Sequence, residues 1–326
     1  MARRPPKGVR GEGIVERVLL QPDPGRDRGA YPWGLAAVRA LDEPLPLDPK
    51  VTIFVGENGS GKSTLLEAIA VAAGFNPEGG TTNFDFETRR SHSPLCDALV
   101  VEWARRPRTG FFFRGESFFN VATEIERLGV GQSYGGRSLH EQSHGEAFLA
   151  LVNHRFGPDG LYVLDEPEQA LAPQRQLSLL AAIHALVLRR SQFVIATHSP
   201  ILMAYPGAKL LGFGATYGDQ GVRETTWEET EHVQVYRGFL NDPQRWLKHL
   251  LESTGEQVAA ADAAEAARQA EKAEARKRAR KAKRTAPGED PLDDPEIQAL
   301  LRPRGRKRPP LEITFEQEPS DAPPDE

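Results

Sequence analysis

The chain has 326 residues, with 41 Lys and Arg against 46 Asp and Glu and a formal net charge of −5. That length fits one large α/β domain or two small ones, and the net charge gives no general attraction for nucleic acid. One cysteine, Cys96, excludes an intramolecular disulfide and a cysteine-based metal site, and no apolar run approaches the roughly 18–20 residues that cross a bilayer. The arginines near the N-terminus precede no apolar signal region, so the expected location is the cytoplasm, with no direct membrane insertion.

Residues 1–12 read as a flexible N-terminus. An apolar alternation over Gly13–Gln21 predicts a first edge strand, and Trp33–Leu41 has alternating strand character that Pro44–Pro49 interrupts. The run Val51-Thr52-Ile53-Phe54-Val55 predicts a buried strand. It leads into Gly56-Glu57-Asn58-Gly59-Ser60-Gly61-Lys62-Ser63-Thr64, and a helix-compatible stretch from Leu65 follows. Strand, glycine-rich loop and helix together make the Gly-x-x-x-x-Gly-Lys-Ser string a phosphate cradle rather than an ordinary turn. The glycines let successive N–H groups face an anion, and the helix adds the positive end of its dipole. Lys62 can then reach terminal phosphates, and the Ser63 hydroxyl can ligate Mg²⁺.

Asn76–Gly80 has strong turn chemistry. Ala98–Trp103 and Gly110–Phe119 predict two strands joined at Arg105–Thr109 as an antiparallel hairpin. Phe118–Leu128 predicts a short helix and Gly129–Gly136 a loop. Glu146–Phe156 predicts a helix, and Ser143 and Gly145 stand just before it. Read alone, those two residues are either a helix cap or another anion-binding helix start. Leu161-Tyr162-Val163-Leu164 predicts a buried strand ending in Asp165-Glu166. Acids at a strand end in a parallel sheet suit metal chemistry, with Asp165 toward Mg²⁺ and Glu166 toward an attacking water. Gln174–Leu188 predicts an amphipathic helix, with Pro173 in its first turn. Phe193–Ala196 predicts a strand ending in Thr197-His198-Ser199, where His198 is either a phosphate contact or a satisfied strand-end histidine. Lys209–Phe213 predicts a further strand, and Leu240–Leu251 a last core helix.

The composition changes near Glu252. Residues 259–284 are almost wholly Ala, Glu, Lys, Arg and Gln. Within 271–284 eight Lys and Arg face two Glu, and 311–326 holds six acids and no base. Residues 252–326 therefore predict a charged, largely disordered tail that includes a solvated helix.

Loop 56–64, segment 142–146, strand 161–166 and His198 follow the order of the ABC-type ATPases. Through FVGENGSGKSTLLEAIA, SHGE, LYVLDEPE, PQRQ and ATHSPILMAYPGA, residues 13–251 resemble small stand-alone AAA-family ATPases related to ABC, SMC and RecF-type proteins. The resemblance implies an α/β P-loop NTPase head with a mainly parallel core sheet, an antiparallel β-lobe and a small helical part. It implies Mg-ATP bound by Gly56, Glu57, Asn58, Gly59, Ser60, Gly61, Lys62, Ser63 and Thr64. It further implies Ser63 and Asp165 on Mg²⁺, Glu166 as catalytic base, and Lys62 and His198 on the γ-phosphate. Such heads close as ATP-dependent dimers, so Ser143 and Gly145 would meet the partner's phosphate.

The sequence departs from the transporter pattern in two places. The signature reads Ser-His-Gly-Glu, and Ala172 stands where an aspartate often ends the loop after Glu166. Glu116 is a weak candidate for the glutamine-loop position. The resulting expectation is an ATPase serving as switch or motor for an unidentified protein partner, with nucleic acid as a further partner of the basic tail. The alternatives are a transporter's nucleotide-binding subunit and a compact RecF/SMC-like DNA-repair ATPase. Long-armed SMC forms do not fit the roughly hundred residues between Lys62 and Asp165, and a GTPase would need an Asn-Lys-x-Asp motif. A small-molecule kinase would leave Glu166 and the signature without a use.

Overall fold

A computed structural model describes residues 13–81, 93–115, 143–218 and 221–285, together with Thr123 and Arg127. The expected helix over Phe118–Leu128, the loop over 129–136 and Glu116 lie outside this description, apart from those two positions. The chain divides into two units, Met1–Arg237 and Gly238–Glu326.

The first unit is α/β. Its main sheet runs β5 (Thr109–Arg114), β6 (Gly160–Asp165), β7 (Gln192–Ala196), β3 (Val51–Gly56), β8 (Lys209–Phe213) and β9 (Val222–Thr225). Neighbours are parallel from β5 to β8, and β9 is an antiparallel edge. β3, β6 and β7 are buried along their whole length, as parallel strands covered on both faces must be. Their side chains divide by alternation. Ile53, Tyr162 and Ile195 pack toward α4 (His144–Arg155) and α5 (Pro173–Val187), whereas Phe54, Val163 and Val194 pack toward α2 (Lys62–Ala72). The triple Phe111-Phe112-Phe113 divides in the same way.

A smaller antiparallel sheet, β2 (Leu45–Pro46), β1 (Val15–Leu20) and β4 (Leu99–Trp103), joins the α2 side of the core. The buried amide of Gln192 bonds the two sheets together. It accepts from the N–H groups of Ile14 and Val15 at 3.0 and 2.7 Å and donates to the carbonyls of Val15 and Asp48 at 2.9 and 2.7 Å.

Four expectations are corrected. First, 98–103 and 110–119 do not form a hairpin. β4 pairs with β1, while β5 pairs in parallel with β6. β5 is apolar on both faces and needs two-sided burial, whereas only Leu99 of β4 is fully buried. The basic link is held at Asp159 instead, with Arg105 at 3.3 Å. Second, β1 is the middle of its sheet, not an edge. Third, Trp33–Leu41 is not a strand but holds α1 (Ala36–Arg39) and a following 3-10 turn. Its buried residues 37, 38, 40 and 41 fall at helical spacing. Fourth, no single helix spans Leu240–Leu251. α7 (Glu231–Asn241) ends there, and Pro243, which has no N–H to donate, starts α8 (Pro243–Thr285).

The second unit is dominated by α8, 43 residues long. Leu247 and Leu251 are 43% and 64% exposed, so the polarity of the sequence leaves this helix largely solvated. The described segments contain no helix long and apolar enough to cross a membrane.

Candidate functional site

The carboxyl ends of β6, β7 and β3 adjoin, and three segments meet there. The loop after β3 turns on Gly56, Gly59 and Gly61, with φ of 139°, 80° and 92°. These left-handed values suit glycine. At Gly56 a Cβ would lie 2.1 Å from the Phe213 carbonyl oxygen on β8, so no other residue fits. Gly61 caps α2 with no side-chain hydrogen bond, which leaves the helix start free for an anion. The loop is steadied from outside, since Ala37 donates to the Ser60 carbonyl at 3.0 Å and Thr216 to the Glu57 carboxylate at 2.6 Å.

Lys62 is only 4% exposed. Its Nζ donates to the carbonyls of Gly56 and Glu57 at 2.8 and 2.7 Å. Burial draws its pKa below the ordinary lysine value, while Glu166, Asp165, Glu168 and Glu57 pull the other way. One residue on, Ser63 Oγ donates to Asp165 Oδ1 at 2.9 Å. A hydroxyl beside a single carboxylate suits Mg²⁺, which takes few protein ligands and keeps waters and phosphate oxygens. The described residues hold no cluster of three or more His, Cys, Asp or Glu able to hold a metal by itself.

Glu166 follows with φ 47°, a left-handed conformation for a non-glycine residue. Such strain persists only where the surroundings hold it. Here the Glu166 N–H donates to the Ala196 carbonyl at 2.9 Å, and Gln169 donates to Glu166 Oε2. Glu166 Oε1 lies 3.7 Å from His198 Nε2. The His198 N–H donates to Glu168 Oε1 at 2.6 Å, and burial raises the pKa of the Glu168 carboxyl, partly offset by that bond. Burial likewise lowers the pKa of His198 to about 4, with Lys62 and His232 acting in the same direction. The ring is therefore neutral near pH 7. A cleft of about 240 Å³ opens over Lys62, Ser63, Thr64 and Glu166, and Tyr31, 68% exposed, stands on its edge.

Ser143 and Gly145 lie apart from this group. Ser143 caps α4 in a reciprocal capping box with Glu146, and Arg175 Nη1 donates to its Oγ at 3.1 Å while Nη2 reaches Glu146 at 3.1 Å. A Cβ on Gly145 would meet the Ala170 carbonyl at 2.7 Å and Arg175 at 2.8 Å. Among the described residues, their contacts are with the turn after Glu166 and with α5, not with loop 56–64.

Residues 38–106 match the family model of the AAA domain. That span holds β3, the whole glycine-rich loop and α2, and with the geometry above it supports a P-loop ATPase unit. It stops short of Asp165, Glu166 and His198. The SMC head domain from Thermotoga maritima is a similar solved structure, 16% identical, with a TM-score of 0.35, covering 65% of this chain and 98% of that chain. A likeness that distant carries no functional weight. No curated protein matches the chain.

Sequence reasoning assigned nothing to Glu168, Gln169, Arg175, His232 or Tyr31. Glu168 and Gln169 had a usable signal, because they directly follow the Asp-Glu pair. His232 and Tyr31 come from separate elements that only folding brings near the site, and folding likewise brings Arg175 to Ser143.

Proposed function

We propose that the chain is an ABC-like ATPase that binds and hydrolyses Mg-ATP. The observation that carries this reading is the meeting of Lys62, the Ser63–Asp165 contact at 2.9 Å, Glu166 and His198 at neighbouring strand ends. Lys62 neutralises charge on the terminal phosphates. Ser63 and Asp165 would hold Mg²⁺, which when bound would polarise the phosphate oxygens. Glu166 orients the attacking water and accepts its proton as the new O–P bond forms and the bond to the leaving ADP oxygen breaks. In this reading His198, whose Nε2 lies 3.7 Å from Glu166 Oε1, would donate to the γ-phosphate. Tyr31, at the cleft's edge, is a ring against which the base would pack.

In this reading two heads close head to tail over two ATP, and Ser143 and Gly145 of each head complete the other's site. The ATPase part covers 13–251, the region beyond it serves a protein or nucleic-acid partner, and the cytoplasm is the place of action. The test is sedimentation of Glu166→Gln with Mg-ATP. Losing the base while keeping the phosphate contacts should trap ATP and yield a dimer, and Ser143→Arg should abolish it. A monomer that retains bound ATP would remove the head-to-tail arrangement. Failure to bind ATP at all would remove the whole reading.

A further inference from the structure

Beside the phosphate loop a second cavity, of about 300 Å³, is lined by Glu57, Asn58, His198 and, from α7, Glu231, His232 and Tyr236. Within it Nδ1 of His198 and Nε2 of His232 lie 2.8 Å apart. The other ring nitrogens, His198 Nε2 and His232 Nδ1, are buried and without a hydrogen-bond partner. Burial lowers both pKa values, so neither ring is charged near neutral pH. Each neutral imidazole has one N–H and one lone pair, and the shared bond can be made in two ways.

If His198 donates from Nδ1, its Nε2 turns a lone pair toward the Glu166 carboxylate, 3.7 Å away, and an N–H is stranded on His232 Nδ1. Both consequences are unfavourable in a buried setting. If His232 donates from Nε2, the His198 proton sits on Nε2. There it faces Glu166, and only a lone pair is left over on His232. The other charged groups near the pair are Glu168, which accepts from the His198 main chain, Glu57 on the cavity wall, Lys62, whose charge lowers the pKa of both rings, and Glu231, whose charge raises that of His232; none of them is hydrogen-bonded to the outer ring nitrogens, His198 Nε2 and His232 Nδ1.

We propose that His232 is a positioning residue whose Nε2–H donates to His198 Nδ1 and so keeps the His198 proton on Nε2, aimed at Glu166 and the terminal phosphate. The proposal rests on the ATPase reading above and adds α7 to the site. It makes the phosphate contact of His198 depend on the seating of α7, the helix that precedes the long charged helix in the chain.

The test is the imidazole nitrogen spectrum of the full-length, ¹⁵N-histidine-labelled protein without nucleotide near neutral pH, with His198 signals assigned by their loss in His198→Gln. The expected result is a protonated Nε2 and a bare Nδ1 on His198. In His232→Phe, His198 should become a mixture of tautomers, and turnover at saturating ATP should fall about 10-fold with KM for ATP changed by no more than about two-fold. His232→Gln places an amide N–H at the same point and should restore both the tautomer and most of the turnover. A proton on Nδ1, wild-type turnover in His232→Phe, or no gain from Phe to Gln would overturn the proposal. Absence of turnover in the unsubstituted chain would overturn the ATPase reading itself, while the nucleotide-free spectrum still decides the tautomer.

Discussion

Two helix starts in this protein carry similar sequence cues and are built differently. α2 begins at Gly61, in a left-handed conformation and with no side-chain cap, above a buried lysine. α4 begins at Ser143, whose hydroxyl closes a capping box with Glu146 and receives Arg175. The first spends conformational strain on leaving its N–H groups free for an anion. The second satisfies its own donors at the surface. Serine and glycine before a helix therefore do not by themselves define an anion site within one chain; the neighbouring side chains decide whether the helix start is open or occupied there.

The sharpest test of this contrast is Lys62→Ala. It removes the one cation buried in the loop, and ATP turnover should fall by about 10²–10³. Unchanged turnover would falsify the site. Next in size is Gly56→Ala, where a methyl group must displace the Phe213 carbonyl and adopt φ near 139°. A stability loss on the order of 3 kcal/mol is expected in denaturant titrations. Gly145→Ala should cost less, because the nearest groups are a carbonyl at 2.7 Å and the movable end of Arg175. If the two losses were equal, the idea that only the first turn is over-determined would fail.

The buried end should also respond to acid. His198 has its folded pKa lowered to about 4 from the ordinary histidine value of about 6.5, so between those values the unfolded chain binds more protons. Its contribution to stability is therefore complete above pH 6.5 and is lost as the pH falls toward 4, by on the order of 2–3 kcal/mol. Melting curves over that range should be flatter in His198→Gln, and identical slopes would show that the ring is not held neutral. The smallest effect is expected at the capped helix. Ser143→Ala removes an exposed cap and should cost about 1 kcal/mol, with nucleotide affinity of the free chain unchanged. A large loss of affinity there would mean that Ser143 already belongs to the site within one chain.

Much of the nucleotide end was legible in the sequence because it is local. A glycine-rich loop between an apolar strand and a helix, and acids directly after a second apolar strand, each occupy fewer than about a dozen consecutive residues, and the short-range chemistry that shapes them is contained in those residues. The buried strands 51–55, 161–164 and 193–196 were legible for the same reason, as unbroken apolar runs. What the sequence could not decide was pairing. Ala98–Trp103 and Gly110–Phe119 looked like a hairpin because they are adjacent. Only the demand of Phe111, Phe112 and Phe113 for burial on both faces sends β5 to the main sheet and leaves β4 to β1. The contact between His198 and His232, 34 residues apart, and that between Arg175 and Ser143, 32 apart, likewise depend on how helices pack against the sheet. Local propensity says which segments are strands, helices and loops. Which faces must be covered, and by what, is settled by burial across the whole core, and that settled the surroundings of each residue the sequence had already singled out.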